Sequence, residues 1–374
     1  MQNLKYYVLW TKNSPLIQEY KHKFYNKLLW LLDSYFHTWL LNSQYEILLK
    51  TDDLKMFLSN TDISSLICFI DYQKENWNHD LVKSTISDLE KEIQCFLSEG
   101  IDSDNLAMNS GKFINNTKIR LSLTDNNPYA EFNLHPDHKT DWVWVGWWDL
   151  SENNWIDNYS KTFELLKSLD EWIYDELNQI ISKIIPFWTS KSVHNSWSYK
   201  DAIGHLYLWY TLDSDAPEIN NLEAIIHESS HNKLNLIMHF DPIVLNNRDE
   251  IYYSAIRPDA RPIIGVFLGY HAFAPTMYIL MKAYVNWALD DKEYWLWKIV
   301  LYHIKTKFLQ RVIKKHAQLT PIGKEVSDEI DFVVSKMDVL YKEINPPKSV
   351  ISDAKKLQIE HFKNVNRQFS YLMY

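Results

Sequence analysis

Asn221-Leu222-Glu223-Ala224-Ile225-Ile226-His227-Glu228-Ser229-Ser230-His231-Asn232-Lys233-Leu234-Asn235-Leu236-Ile237-Met238-His239 is the stretch that decides the fold. Its apolar residues recur at helical spacing, so it reads as one long amphipathic helix. Within it lies an H-E-x-x-H, from His227 to His231. Histidines at i and i+4 stand one above the other on a helix face, close enough to grip one metal ion, with Glu228 beside the open coordination position. Candidate ligands on a long helix, rather than on alternating strands, argue against a jelly-roll barrel. The expected fold is α+β, predominantly helical, with a small sheet.

Working outward, Arg257-Pro258-Asp259-Ala260-Arg261-Pro262 reads as a Pro-bracketed turn. Pro262 to Met281 is then twenty residues without a charge. It is long enough to span a bilayer, but the better reading is a buried helix, kinked at Pro275, against an active site. Helices are also expected over Leu16–Leu41, Asp80–Phe96, 161–185, 290–316 and 325–343. Pro186 should stop the one that begins at Lys161, with a loop after it. Strands are expected near Ile119–Leu123 and Ile203–Leu212. Asp141–Leu150 (DWVWVGWWDL) is apolar on both faces and reads as a central strand, serving the core or a ligand wall. A boundary near residue 130 divides a helical region of unassigned role, 1–130, from the domain 131–374 that bears the motif.

Composition narrows the chemistry. Seven glycines in 374 residues include no G-x-G-x-x-G and no phosphate-cradling P-loop. A net charge of −9 argues against a general nucleic-acid binder. Cys68 and Cys95 form neither a C-x-x-C nor a disulfide framework. The N-terminal apolar patch is too short for a signal peptide, so a cytoplasmic enzyme is expected.

The third ligand decides the kind of metal site. His239 lies eight residues past His231, roughly 12 Å along a straight helix, which is out of reach. Leu234 and Ile237 break the H-x-x-G-x-x-H extension. Glu250, nineteen positions after His231, and His271, inside the uncharged segment, both stay open. Arg257 and Arg261 form a fork suited to a carboxylate, or else pair with Asp259, and Tyr253 offers a hydroxyl. From Tyr294 to Gly323 there is no acidic residue, while Lys298, Lys305, Lys307, Arg311, Lys314 and Lys315 are present. This basic helix, 298–315, is a candidate docking surface for an acidic peptide, or simply a solvated face.

Several blocks together resemble a known family. They are Ser196-Trp197-Ser198-Tyr199-Lys200-Asp201-Ala202-Ile203-Gly204, the H-E-x-x-H followed by Lys233-Leu234, Tyr252-Tyr253 with the Arg-Pro turn, and Gly265 with Gly269-Tyr270-His271-Ala272-Phe273. In order and spacing they look like the H-E-x-x-H domain of gene clusters that modify ribosomally made peptides. The resemblance covers roughly 180–285. Many members carry a bulky apolar residue and a glutamine where this chain has Ser229 and Ser230, a change that leaves the ligand spacing intact.

The resemblance implies an iron(II)- and 2-oxoglutarate-dependent dioxygenase that hydroxylates a β-carbon of a precursor peptide with O2. Carried onto this chain, His227 and His231 are iron ligands and His271 the third, while Arg257 or Arg261 meets the far carboxylate of 2-oxoglutarate. Three protein ligands on an octahedral ion leave two positions for a chelating 2-oxo acid and one for dioxygen. The main alternative is a zinc metallopeptidase with Glu228 as general base. The other is a non-catalytic peptide-binding subunit.

Overall fold

The computed structural model describes residues 15–39, 47–51, 53–75, 79–123, 142–144, 152–189, 196–209, 217–286, 289 and 291–368. The fold is α+β, mostly helical with a small mixed sheet. It divides into two compact units. Of the described residues, one holds those of 13–163 and 175–221; the other holds those of 164–174 and 222–368. The expected boundary at residue 130 lies outside the described residues.

The first unit opens with helices α1 (Pro15–Trp39), α2 (Leu54–Ser59), α3 (Thr61–Glu75) and α4 (His79–Glu99). The sheet follows, with β1 (Lys112–Phe113), β2 (Arg120–Leu121) and β3 (Trp142–Trp144). Then come α5 (Glu152–Leu169) and α6 (Glu171–Ile180), whose stretch 164–174 belongs to the other unit, and β4 (Lys183–Thr189) and β5 (His205–Trp209). β4 is the central strand. It runs parallel to β5 along one edge, while β2 (parallel) and β3 (antiparallel) share the other.

α5 and α6 bear out most of the expected helix over 161–185, but its end and the start of the loop after it are corrected to the strand Lys183–Thr189. Pro186 sits inside a strand, at a position where a missing N–H costs nothing. The carbonyls of Ser182 and Ile184 face β2, so the backbone N of Pro186 faces the same edge. There it falls between the residues paired with β2 and those paired with β3. The aromatic run was expected to be the central strand. Instead, among the described residues, Trp142–Trp144 pairs only with β4, and 141 and 145–150 lie outside them. The Ser196–Gly204 block also has a structural task. Trp197 bridges Tyr207 through paired backbone bonds of 3.0 Å and stacks on its ring. Gly204 supplies a positive φ of 102° at the entry to β5.

Behind the sheet is a buried polar cluster. Lys183 Nζ donates to Asp62 Oδ2 at 2.7 Å and to Ser110 Oγ at 3.0 Å, with His205 Nε2 3.7 Å from Asp62 Oδ1. Burial pushes the Asp62 carboxyl up, but Lys183 and His205 outweigh it and hold the group at about 2.

The second unit contains α7 (Pro217–Met238), which enters it at Leu222. A two-stranded hairpin, β6 (Ile251–Tyr252) and β7 (Arg261–Pro262), carries the Arg-Pro turn. Helices α8 (Ile263–Val285), α9 (Lys292–His316), α10 (Pro321–Ile344) and α11 (Lys348–Gln368) complete it. Among the described residues α8 is the one helix long and apolar enough to cross a membrane, and 67% of its apolar window is buried. Packing against α9 and α10 accounts for that composition. The Arg261 side chain lies over the first turn of α8 beside Gly265, and Gly269 gives room for Ile256.

The turn leaving α7 is locked to the start of α10. Thr320 Oγ1 accepts from Gly323 N at 2.8 Å and donates to Asp241 Oδ1 at 2.6 Å, while Thr320 N donates to the Ile243 carbonyl at 3.0 Å. A Cβ at Gly323 would collide with that carbonyl, and Ile243 already sits at φ 64°. Gly323→Ala is therefore expected to cost about 3 kcal/mol, read as a lower midpoint in urea denaturation. Asp62→Asn, which strands a buried lysine, should cost about 3–5 kcal/mol in the same measurement. A midpoint unchanged in either variant contradicts the packing described.

Candidate metal centre

α7 places the two motif histidines as their spacing demands. His227 Nε2 and His231 Nε2 stand 3.2 Å apart, with ring planes 84° to one another. Two metal–nitrogen bonds of about 2.1 Å opening at about 100° span the same distance, so the pair fits a shared ion. Both residues keep partial exposure. Burial of the rings, reinforced at His227 by His231, holds the His227 imidazole well below its ordinary value. Burial brings His231 down to about 4. Both are thus neutral at pH 7, with lone pairs available, which is the form that binds metal.

Ser229 and Ser230 turn their hydroxyls back along α7, to the Ile225 carbonyl at 2.5 Å and the Ile226 carbonyl at 2.8 Å. They satisfy themselves locally and leave the histidine face alone. Glu228 is buried.

α8 and α9 supply the wall. Phe273 meets the His227 ring edge-on at 4.7 Å between centroids, and Tyr302 stacks on Phe273 at 5.2 Å. Burial, then the Glu223 carboxylate, pushes the Tyr302 hydroxyl up to about 12. Lys298, one turn before Tyr302, is bound to Glu223, one turn before His227. Lys233 and Glu329 form a second ion pair at 3.2 Å, both 3% exposed. Motif reading named Phe273, Lys298 and Lys233 but missed Tyr302 and the two carboxylates, Glu223 and Glu329, that pair with the lysines. The signal for Glu223 was available, since it shares the i, i+4 stripe of the two histidines.

His271 is buried in α8, and its Nδ1 has no hydrogen-bond partner. Its pKa is lowered well below the ordinary value by burial first, then by Lys233 and His231, against an opposing hydrogen bond to the Ser230 backbone. It therefore lies beside the motif. Yet among the described residues no three His, Cys, Asp or Glu side chains converge as a ligand set. The structure brings His227 and His231 together and leaves His271 adjacent. Glu250 is engaged elsewhere, accepting from the Tyr252 hydroxyl at 2.6 Å.

The carboxylate-binding candidates are also engaged. Arg261 binds Asp259 through two bonds, Nε at 2.8 Å and a longer Nη2 contact at 3.4 Å. Arg257 Nε lies 3.8 Å from the same carboxylate, on an exposed side chain. The fork is closed on its own turn. The Tyr253 hydroxyl pairs with His361 Nδ1 at 2.9 Å and accepts from Gln358, both on α11.

On the basic helix, Lys307 pairs with Asp338 at 2.9 Å, Lys314 with Asp331 at 2.9 Å, and Lys298 with Glu223. Arg311 is exposed and lies over the Phe308 ring.

No protein-family model matches this chain, and no curated protein sequence does.

The depressed imidazoles set a pH dependence. Unfolded histidines protonate near 6.5, whereas folded His231 does so near 4. The unfolded chain binds more protons in that window, so stability is complete above the unfolded value and declines as pH falls towards 4. An NMR titration of the metal-free protein should show the His231 ring turning over near pH 4. A midpoint at the ordinary value would contradict its burial.

Proposed function

We propose that this chain is an iron(II)- and 2-oxoglutarate-dependent hydroxylase acting on a β-carbon of a ribosomally made precursor peptide in the cytoplasm. The observation that carries it is the neutral His227–His231 pair, whose nitrogens stand 3.2 Å apart. The order of the surrounding sequence blocks selects the reaction among those such a pair could serve. When bound, iron supplies oxygen activation: one atom of O2 enters the substrate C–H bond and the other the keto acid, which leaves as succinate and CO2.

The protein's own part is to present the ion and keep its surroundings dry. His227 and His231 would hold it, and His271 is the further ligand of the proposal because its Nδ1 is buried and uncommitted beside them. Glu250 is a weaker candidate, since Tyr252 already holds it. Phe273 and Tyr302 shield His227 from water on one side. Lys307 and Lys314 are already paired, so a leader peptide docking on the basic helix would rely on Lys305 and Arg311.

Anaerobic reconstitution tests this reading. Protein loaded with iron(II), then given 2-oxoglutarate, air and a peptide from its gene neighbourhood, should add one oxygen to the peptide. His227→Ala and His231→Ala should each abolish both stoichiometric metal binding and the mass gain. Peptide-bond cleavage with zinc and no cosubstrate would replace the proposal with a metallopeptidase using Glu228. An unchanged peptide with every metal would leave a binding subunit.

A further inference from the structure

The closed arginine fork leaves the cosubstrate's far carboxylate without its expected partner. Position makes the same point. The histidine pair lies level with His271 and Phe273 on α8. Arg261 stands on β7 with its side chain over the first turn of α8, beside Gly265, six residues and about 9 Å along the axis before His271. A five-carbon 2-oxo diacid spans only roughly 5 Å from its keto carbon to its far oxygens.

Lys298 is better placed. It is 8% exposed, with Nζ 4.8 Å from the Trp295 ring centroid and its ammonium bound to Glu223. Two helices match turn for turn here. Glu223 and His227 are successive turns of α7; Lys298 and Tyr302 are successive turns of α9. Phe273 lies between Tyr302 and His227. The ammonium therefore stands about one turn, roughly 6 Å along the axis, from the level of the His227 imidazole. That is the reach of the diacid. An ammonium has three donors, and Glu223 uses one. The Glu223 side chain is 21% exposed, so it has a path to water if a second carboxylate arrives.

We propose that Lys298, rather than Arg257 or Arg261, receives the far carboxylate of the acid cosubstrate, and that Glu223 holds the ammonium in place and competes for it. The inference rests on the 2-oxo-acid reading above. It also predicts a sign that a purely structural ion pair would not give, because removing the Glu223 charge should help the ligand.

Calorimetric titration of 2-oxoglutarate into protein loaded with manganese(II), without oxygen, tests it independently of turnover. Lys298→Met should weaken 2-oxoglutarate by about tenfold or more, the worth of one charge-assisted bond. It should leave 2-oxobutyrate, which lacks the far carboxylate, unchanged. Lys298→Arg should retain most of the affinity, and Glu223→Gln should tighten 2-oxoglutarate. Arg261→Gln should change it less than about twofold. Metal content, measured in parallel, shows that each variant keeps its site. Undiminished binding in Lys298→Met, or weakening in Glu223→Gln, overturns the role of Lys298 alone. Wild-type protein that holds manganese but ignores 2-oxoglutarate overturns the reaction class itself.

Discussion

The second unit is organised by the need to hide α8. Twenty successive residues without a charge cannot lie on a wet surface, and α8 is apolar all round rather than on one stripe. α9 and α10 cover it. Its few polar groups find partners on α10, at the α5–α6 junction, or locally. Tyr270 reaches Asp331 at 2.6 Å, Lys282 reaches Asp170 at 3.0 Å, and Thr276 returns to the Ala272 carbonyl. His271 is the exception, with a buried nitrogen that nothing satisfies. Leaving such an atom unpaired costs on the order of 1–3 kcal/mol, and such atoms concentrate where a ligand is missing or a function is stored. The same packing sets Phe273 against His227, so the core helix also furnishes the wall of the candidate centre.

Charge is distributed by a related rule. Read along the chain, α9 from Tyr294 onward is a run of cations with no anion. In the fold, its partners come from elsewhere: Asp331 and Asp338 on α10, and Glu223 on α7. Asp331 alone accepts from Tyr270, Gln310 and Lys314. Burial pushes its carboxyl up, but these three bonds outweigh it and hold the group below its usual range. A like-charge run on one helix is therefore weak evidence for an anionic partner, because a neighbouring helix can neutralise it invisibly to any local pattern.

This explains how much was legible in the sequence. The helical period located α7, α8, α9 and α10 closely, and the i, i+4 rule put His227 and His231 within reach of one ion. Those features depend on residues a turn apart. What escaped depends on pairing over long separations. β4 was read as the end of a helix because proline normally closes one. Its place as the central strand follows only from where β2 stops and β3 begins on its far edge. The Arg257–Arg261 fork was legible as a cluster, but its closure on Asp259 was a choice between two readings that spacing leaves equal.

The Glu223–Lys298 pair shows why such a choice matters for chemistry. A nearly buried ion pair is a poor means of stabilising a fold, since desolvating both charges offsets most of their attraction. Here the ammonium is buried while the carboxylate is not. The pair starts one turn of α7 before His227, with its anionic partner still in contact with water. An exchangeable counter-ion in that position keeps a buried ammonium charged while no ligand is present and yields it to an anion that fits. The two arginines of the hairpin turn, by contrast, share the carboxylate of Asp259 on their own turn.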